Sequence, residues 1–165
     1  MTSNIYIMDS SSLIELNRHN PIDVFPSVWK NMESLISKGL LVAPTEVLYE
    51  IMERDDQLAK WAKEQTSFFR APTQKQIEIL KDILKAYPSM VREDRKYDVD
   101  PWVIALAIEM ITDPQKTLIS IKRIVVKEEK LRWEKNQNPL RMPEIQHRFN
   151  RHYRNVQNRR MEVLR

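Results

Sequence analysis

A single glycine, Gly39, serves a chain of 165 residues. Glycine enters left-handed backbone freely and lets the main chain approach a ligand closely. The dinucleotide-binding fingerprint needs three glycines and the Walker loop needs two, so neither phosphate cradle can form here. Cysteine is also absent, which excludes disulfides, zinc fingers, iron–sulfur clusters and thiol catalysis. Apolar residues make up 42% and charged residues 30% of the chain, a balance that predicts one globular domain with or without an appendage. The first residues lack a basic region followed by an apolar run, so no signal peptide is expected. No run approaches ~18 apolar residues, so no membrane span is expected either. The expectation is a cytoplasmic protein with no membrane partner.

The apolar pattern alternates between short strands and helices. Residues 4–8 read NIYIM, a β-branched and aromatic run that predicts a buried strand ending at Asp9. Ser10, Ser11 and Ser12 precede Leu13, Ile14 and Leu16, which predicts a helix start there. Phe25-Pro26 opens a second helix, and Lys38-Gly39 closes it with glycine just past the last turn. Leu40 to Ala43 reads as a second buried strand, and Pro44-Thr45-Glu46 starts a third helix. Helices are expected over 56–65 and 74–86, with a polar, charged loop or loose turn over 88–97. Asp100-Pro101 is expected to cap and open a helix that is apolar nearly all round from Val103 to Met110. Residues 117–126 look strand-like, and 130–143 look like a loop. This order predicts an α/β fold with a short central parallel sheet flanked by helices.

In such a sheet, ligands bind at the carboxyl ends of strands. The acids at those places are Asp9, Glu46, Glu50, Asp100, Glu128 and Glu129. Glu46 and Glu50 are four apart and share a helix face. Converging carboxylates repel, and a hard divalent ion such as Mg²⁺ relieves that repulsion. Each acid also has a plain structural use. Asp9 suits a strand-to-helix turn, Glu46 suits a helix N-terminus, Glu50 suits an exposed helix face, Asp100 suits a cap, and Glu128 and Glu129 suit a solvated charge run.

The segments YIMDSSSLI, APTEVLYEI, DVDPWVIALA and IVVKEEK, in that order, resemble the pattern of PIN-domain ribonucleases. The chain is most similar to a PIN-like branch with three further segments. These are F-P-x-x-W (Phe25, Pro26, Trp29), acidic-L-x-x-W (roughly Asp56, Leu58, Trp61) and an I-P segment near the C-terminus (Met142-Pro143-Glu144). The resemblance spans about residues 5–150 and implies a PIN-like domain over 1–143.

Position by position, the resemblance implies that Asp9, Glu50, Asp100 and Glu129 are catalytic metal ligands. Glu46 and Glu128 are secondary candidates, and Ser11 supplies an orienting hydroxyl. The family's strand typically ends V-V-T-x-acid, and Lys127 stands where that threonine falls if Glu129 is the acid. The implied activity is Mg²⁺- or Mn²⁺-dependent endoribonuclease cleavage, as in the VapC-type toxins of toxin–antitoxin systems. The implied partners are RNA, a cognate antitoxin and a second copy of the chain. The alternatives are a non-catalytic PIN-like RNA-binding protein and a PIN nuclease acting outside a toxin–antitoxin system.

The net charge of +4 is uneven. Residues 141–165 hold seven arginines against Glu144 and Glu162, so the rest of the chain is near neutral. A basic helical tail is expected over 144–165. Arg148, Arg151, Arg154, Arg159 and Arg160 are the candidates for RNA phosphate contact. Equally, a stripe of Ile145, Phe149, Tyr153 and Val156 could pack on the domain and leave the arginines in solvent.

Overall fold

The computed structural model describes residues 5–54, 56–91, 96–112 and 123–126. The chain divides into two compact units, Met1–Glu129 and Lys130–Arg165, and every described residue belongs to the first. The arginine tail, Glu128 and Glu129 lie outside the described residues, as does the Met142-Pro143-Glu144 segment.

The first unit is α/β. Its elements run β1 (Ile5–Met8), α1 (Ser10–His19), α2 (Pro26–Ser37), β2 (Leu41–Pro44), α3 (Thr45–Met52), α4 (Gln57–Glu64), β3 (Phe69–Arg70), α5 (Gln74–Ala86), a 3₁₀ turn (Pro88–Met90), α6 (Val99–Thr112) and β4 (Arg123–Val126). The strands form one sheet in the order β3-β2-β1-β4. Every pairing is parallel. Tyr6 lies opposite Leu41 on one side and Ile124 on the other, and Met8 lies opposite Val126. The chain steps outward from β1 to β2 to β3, then crosses back to lay β4 on the free side of β1. Strand order therefore reverses between β1 and β4.

The interior is aliphatic. Ile7, Leu13, Val42, Val47 and Ile51 are fully buried, as are Val103 to Ile108 of α6 apart from a trace at Leu106 and Ile108. An apolar run of that kind must be covered on all sides, and α6 packs against α3, α5, β1, β2 and β4. No helix among the described residues is long and apolar enough to cross a membrane.

Two motif tryptophans from separate helices meet in this core. Trp29 on α2 and Trp61 on α4 stack edge to face, with ring centroids 4.7 Å apart. Trp29 Nε1 donates to the Asn20 carbonyl at 2.8 Å, and Trp61 Nε1 donates to Glu33 at 2.9 Å. Each ring thus buries its face while its single donor is satisfied. Asp56 caps α4 by accepting from the Ala59 amide at 3.0 Å. The Phe25-Pro26-Trp29 and Asp56-Leu58-Trp61 segments therefore form one aromatic clasp between α2 and α4.

Gly39 ends α2 in a left-handed conformation, φ +67°. Its amide donates to the Ile36 carbonyl, and the Leu40 amide donates to the Leu35 carbonyl, both at 2.9 Å. These two bonds make the Schellman closure, and Leu40 then enters β2.

One expectation needs correction. Asp100 is not the cap of α6, because the helix already includes Val99 and Asp100 lies in its first turn. The first-turn amides have no intrahelical acceptors, so Pro101 forfeits no hydrogen bond there and the helix can start earlier. The two-residue β3 was not expected, being too short to show alternation. The 3₁₀ turn Pro88–Met90 falls in the segment expected to be a loop or loose turn.

Gly39→Ala is expected to lower unfolding free energy by about 1 kcal/mol. A Cβ at that position meets no atom within 4 Å, so the cost is conformational, and asparagine should cost less than alanine. Trp29→Ala is expected to cost about 3–5 kcal/mol. Urea unfolding measures both.

Candidate functional site

Strand β1 ends at Met8, and Asp9 is the hinge into α1. Its backbone is extended, φ −93° and ψ 157°, and its carbonyl accepts the first helical bond from Leu13. Aspartate at such a position commonly turns its carboxylate onto the following amides. Here the carboxylate makes no capping bond. It accepts instead from hydroxyls, from Ser11 Oγ at 2.6 Å and from Ser10 Oγ at 3.1 Å. Asp9 is only 2% exposed, and Ser10 is equally sheltered.

Glu50 reaches the same place from another element. It sits in the second turn of α3, the helix that follows β2, and α3 packs against α1. Glu50 Oε2 stands 2.5 Å from Ser10 Oγ. One serine hydroxyl therefore faces a carboxylate oxygen of Asp9 and one of Glu50. It has one proton to donate and can serve one of them at a time. A cation placed between the acids stabilises such an arrangement, and the oxygen donors present suit a hard divalent ion.

The structure thus brings together Asp9, Ser10, Ser11 and Glu50. Asp100 is in the first turn of α6, which packs against both α3 and β1. Among the described residues, no three acidic, histidine or cysteine side chains stand close enough to hold a metal ion as a group. Glu128 and Glu129 follow β4 in sequence, and β4 lies alongside β1 with Val126 opposite Met8. The site lies at the carboxyl end of β1, the interior strand next to which strand order reverses, and open parallel sheets take ligands at the carboxyl ends of their strands.

Glu46, one turn before Glu50, has a different environment. It lies in the wall of a cavity of about 280 Å³ shared with α5 and the start of α6. Its Oε2 is buried without a hydrogen-bond partner. Burial pushes its carboxyl up from the ordinary 4.5, partly offset by a hydrogen bond from its own backbone amide.

Ser10 is the residue that sequence reasoning overlooked. Three consecutive serines advertise a helix start, and nothing in their order says which one reaches a neighbouring helix. The signal available was Glu50 itself, an acid expected to approach the end of β1 and in need of a donor there. Glu15 was also passed over. It is buried on α1 and accepts from Arg18 at 2.9 Å, with His19 at 3.4 Å.

A family profile matches residues 6–160, and its description is Domain of unknown function (DUF4411). No curated protein and no solved structure matches the chain.

The raised carboxyl of Glu46 has a consequence for stability. The folded chain holds that proton more tightly than the unfolded chain. The contribution is therefore present below the unfolded value of 4.5 and lost as pH rises through the higher folded value. Glu46→Gln removes the buried charge. Its melting temperature should exceed that of the parent at pH 7, and the advantage should vanish by about pH 4. Thermal unfolding at the two pH values checks this.

Proposed function

The chain belongs to the DUF4411 family, and we propose that it is a PIN-like, metal-dependent endoribonuclease. The observation that carries this reading is the meeting of Asp9 and Glu50 on the Ser10 hydroxyl at the carboxyl end of β1. Two acids forty-one residues apart in sequence are held at the carboxyl end of β1 with hydroxyls between and beside them. A fold that only needed a helix cap at Asp9 would have no use for Glu50 there.

In this reading Asp9, Glu50 and Asp100 would hold Mg²⁺ or Mn²⁺, with Glu129 as the fourth acid and Glu128 as its substitute. Held there, such an ion would supply Lewis-acid stabilisation of phosphate charge and a more acidic water. Ser10 and Ser11 fix the orientation of the carboxylates, as outer hydrogen bonds do for metal ligands generally. The burial of Asp9 keeps bulk solvent from competing for its oxygens. Arg148, Arg151, Arg154, Arg159 and Arg160 would grip the RNA backbone, with affinity that falls as salt rises.

The resemblance to VapC-type toxins extends the proposal to a cytoplasmic toxin whose antitoxin presents an acidic segment to the arginine tail. It also extends to a homodimer. A second reading, RNA binding without cleavage, is favoured by one observation: Lys127 stands where the family's strand-end threonine falls.

The test incubates the full chain with RNA and Mg²⁺ or Mn²⁺, beside EDTA. Cleavage should require the metal and disappear in Asp9→Asn and Glu50→Gln. Ser10→Ala should retain cleavage but lose about 10–100-fold in rate or metal affinity, the usual cost of an outer-shell partner. Cleavage that survives both EDTA and Asp9→Asn sinks the metal–carboxylate proposal. Salt-sensitive binding without cleavage selects the second reading.

A further inference from the structure

We infer that Tyr49 and Tyr97 are positioning residues, a ring pair that holds the start of α6 against α3 and so sets where Asp100 stands relative to Glu50. The role of the pair rests on reading these acids as metal ligands, and it names what fixes the third of them.

Asp9 and Glu50 are placed by regular structure. Asp9 follows a strand paired on both edges, and Glu50 lies inside α3. Asp100 stands instead in the first turn of α6, and the amides of a first turn have no intrahelical acceptors. The backbone there depends on contacts made by the turn itself and by the chain leading into it. Val99 is buried in the core. The Trp102 carbonyl accepts from Gln76 Nε2 at 3.5 Å, which ties the same turn to α5. The link to α3 comes from Tyr97.

Tyr97 lies two residues before α6. Its ring meets that of Tyr49 on α3, with centroids 6.4 Å apart and planes inclined by 33°. Tyr49 immediately precedes Glu50, and Tyr97 precedes Asp100 by three residues. The pair thus joins the two acid-bearing segments beside both acids. Tyr49 is 48% exposed, so the core has little need of its ring. Lys96 sits 5.2 Å from the Tyr97 ring centroid and pairs with Glu53, one turn beyond Tyr49. An ion pair with exposed partners adds little, so the rings are the stronger part of the tie. The tie also limits its own effect. Loss of an aromatic contact weakens the ligand it positions by no more than the strength of the contact, about 3- to 10-fold in affinity.

The test titrates the full chain with Mn²⁺ in the absence of RNA, reading free Mn²⁺ by electron paramagnetic resonance. Tyr49→Leu and Tyr97→Leu should each bind Mn²⁺ about 3- to 10-fold more weakly than the parent. The double variant should bind no more weakly than the weaker single variant, because all three lose the same contact. Tyr49→Phe and Tyr97→Phe keep the rings and should match the parent. In an Asp100→Asn chain, Tyr49→Leu should cause no further loss. Circular dichroism confirms folding, and if Tyr97→Leu does not fold, Tyr49→Leu at its exposed position decides. A role in stability alone predicts a lower urea midpoint with parent affinity for Mn²⁺, and that result overturns the inference. So does a loss in Tyr49→Leu that persists at full size in Asp100→Asn. No Mn²⁺ binding by the parent removes the metal reading and the positioning role with it. Binding by the parent that is unchanged in Tyr49→Leu removes the positioning role alone.

Discussion

Strand β1 is hydrogen-bonded along both edges, to β2 on one side and β4 on the other. A strand so placed has no freedom of register, since a slip of one residue would turn Ile5 and Ile7 out of the interior. That constraint determines where Asp9 emerges. It also determines where α1 starts, and so where Ser10 and Ser11 stand. Helix α3 is positioned from the far side of the same pairing, because β2 leads directly into it. The meeting of Asp9 and Glu50 is thus a product of strand registry rather than of local chain flexibility.

Burial of those acids runs against the general cost of placing charge away from water. The structure meets this cost at Asp9 with hydroxyl donors. At Glu46 it leaves one oxygen without a partner. Neighbouring carboxylates on the same helix therefore have opposite solutions. Glu50 is drawn into a hydrogen-bonded group, whereas Glu46 keeps one buried oxygen without a partner. Features that lower stability without structural compensation are common where a ligand completes the arrangement.

Local chemistry made much of this legible. The NIYIM run, the closing glycine and the apolar 103–110 stretch each announce an element whose cause is contained in a few residues, and strand β1, the Gly39 closure and α6 follow from them. Asp9 and Glu50 were legible as candidates because strand and helix ends are legible. Their contact was not, since it depends on how α3 rotates against α1. The early start of α6 was hidden because Asp100-Pro101 satisfies the rule for a cap and also satisfies the rule for a first turn. β3 was hidden for a different reason: two residues hold no periodicity, and the pairing with Ala43 and Pro44 alone defines them. The cavity draws on three helices far apart in sequence, so no window of sequence contains it.

The order of the strands also governs the order of assembly. Helices α1 to α6 all leave the ribosome before β4 exists, yet β4 is the neighbour that covers one whole edge of β1. Until Arg123–Val126 arrives, the growing chain carries a bare, apolar strand edge with Asp9 at its tip, a surface prone to pair with other chains. The half of the site contributed by β1 and α3 can form during synthesis, while the crevice between β1 and β4 cannot. A protein whose completed site cleaves RNA would thus be inert toward its own message until most of the chain had been made.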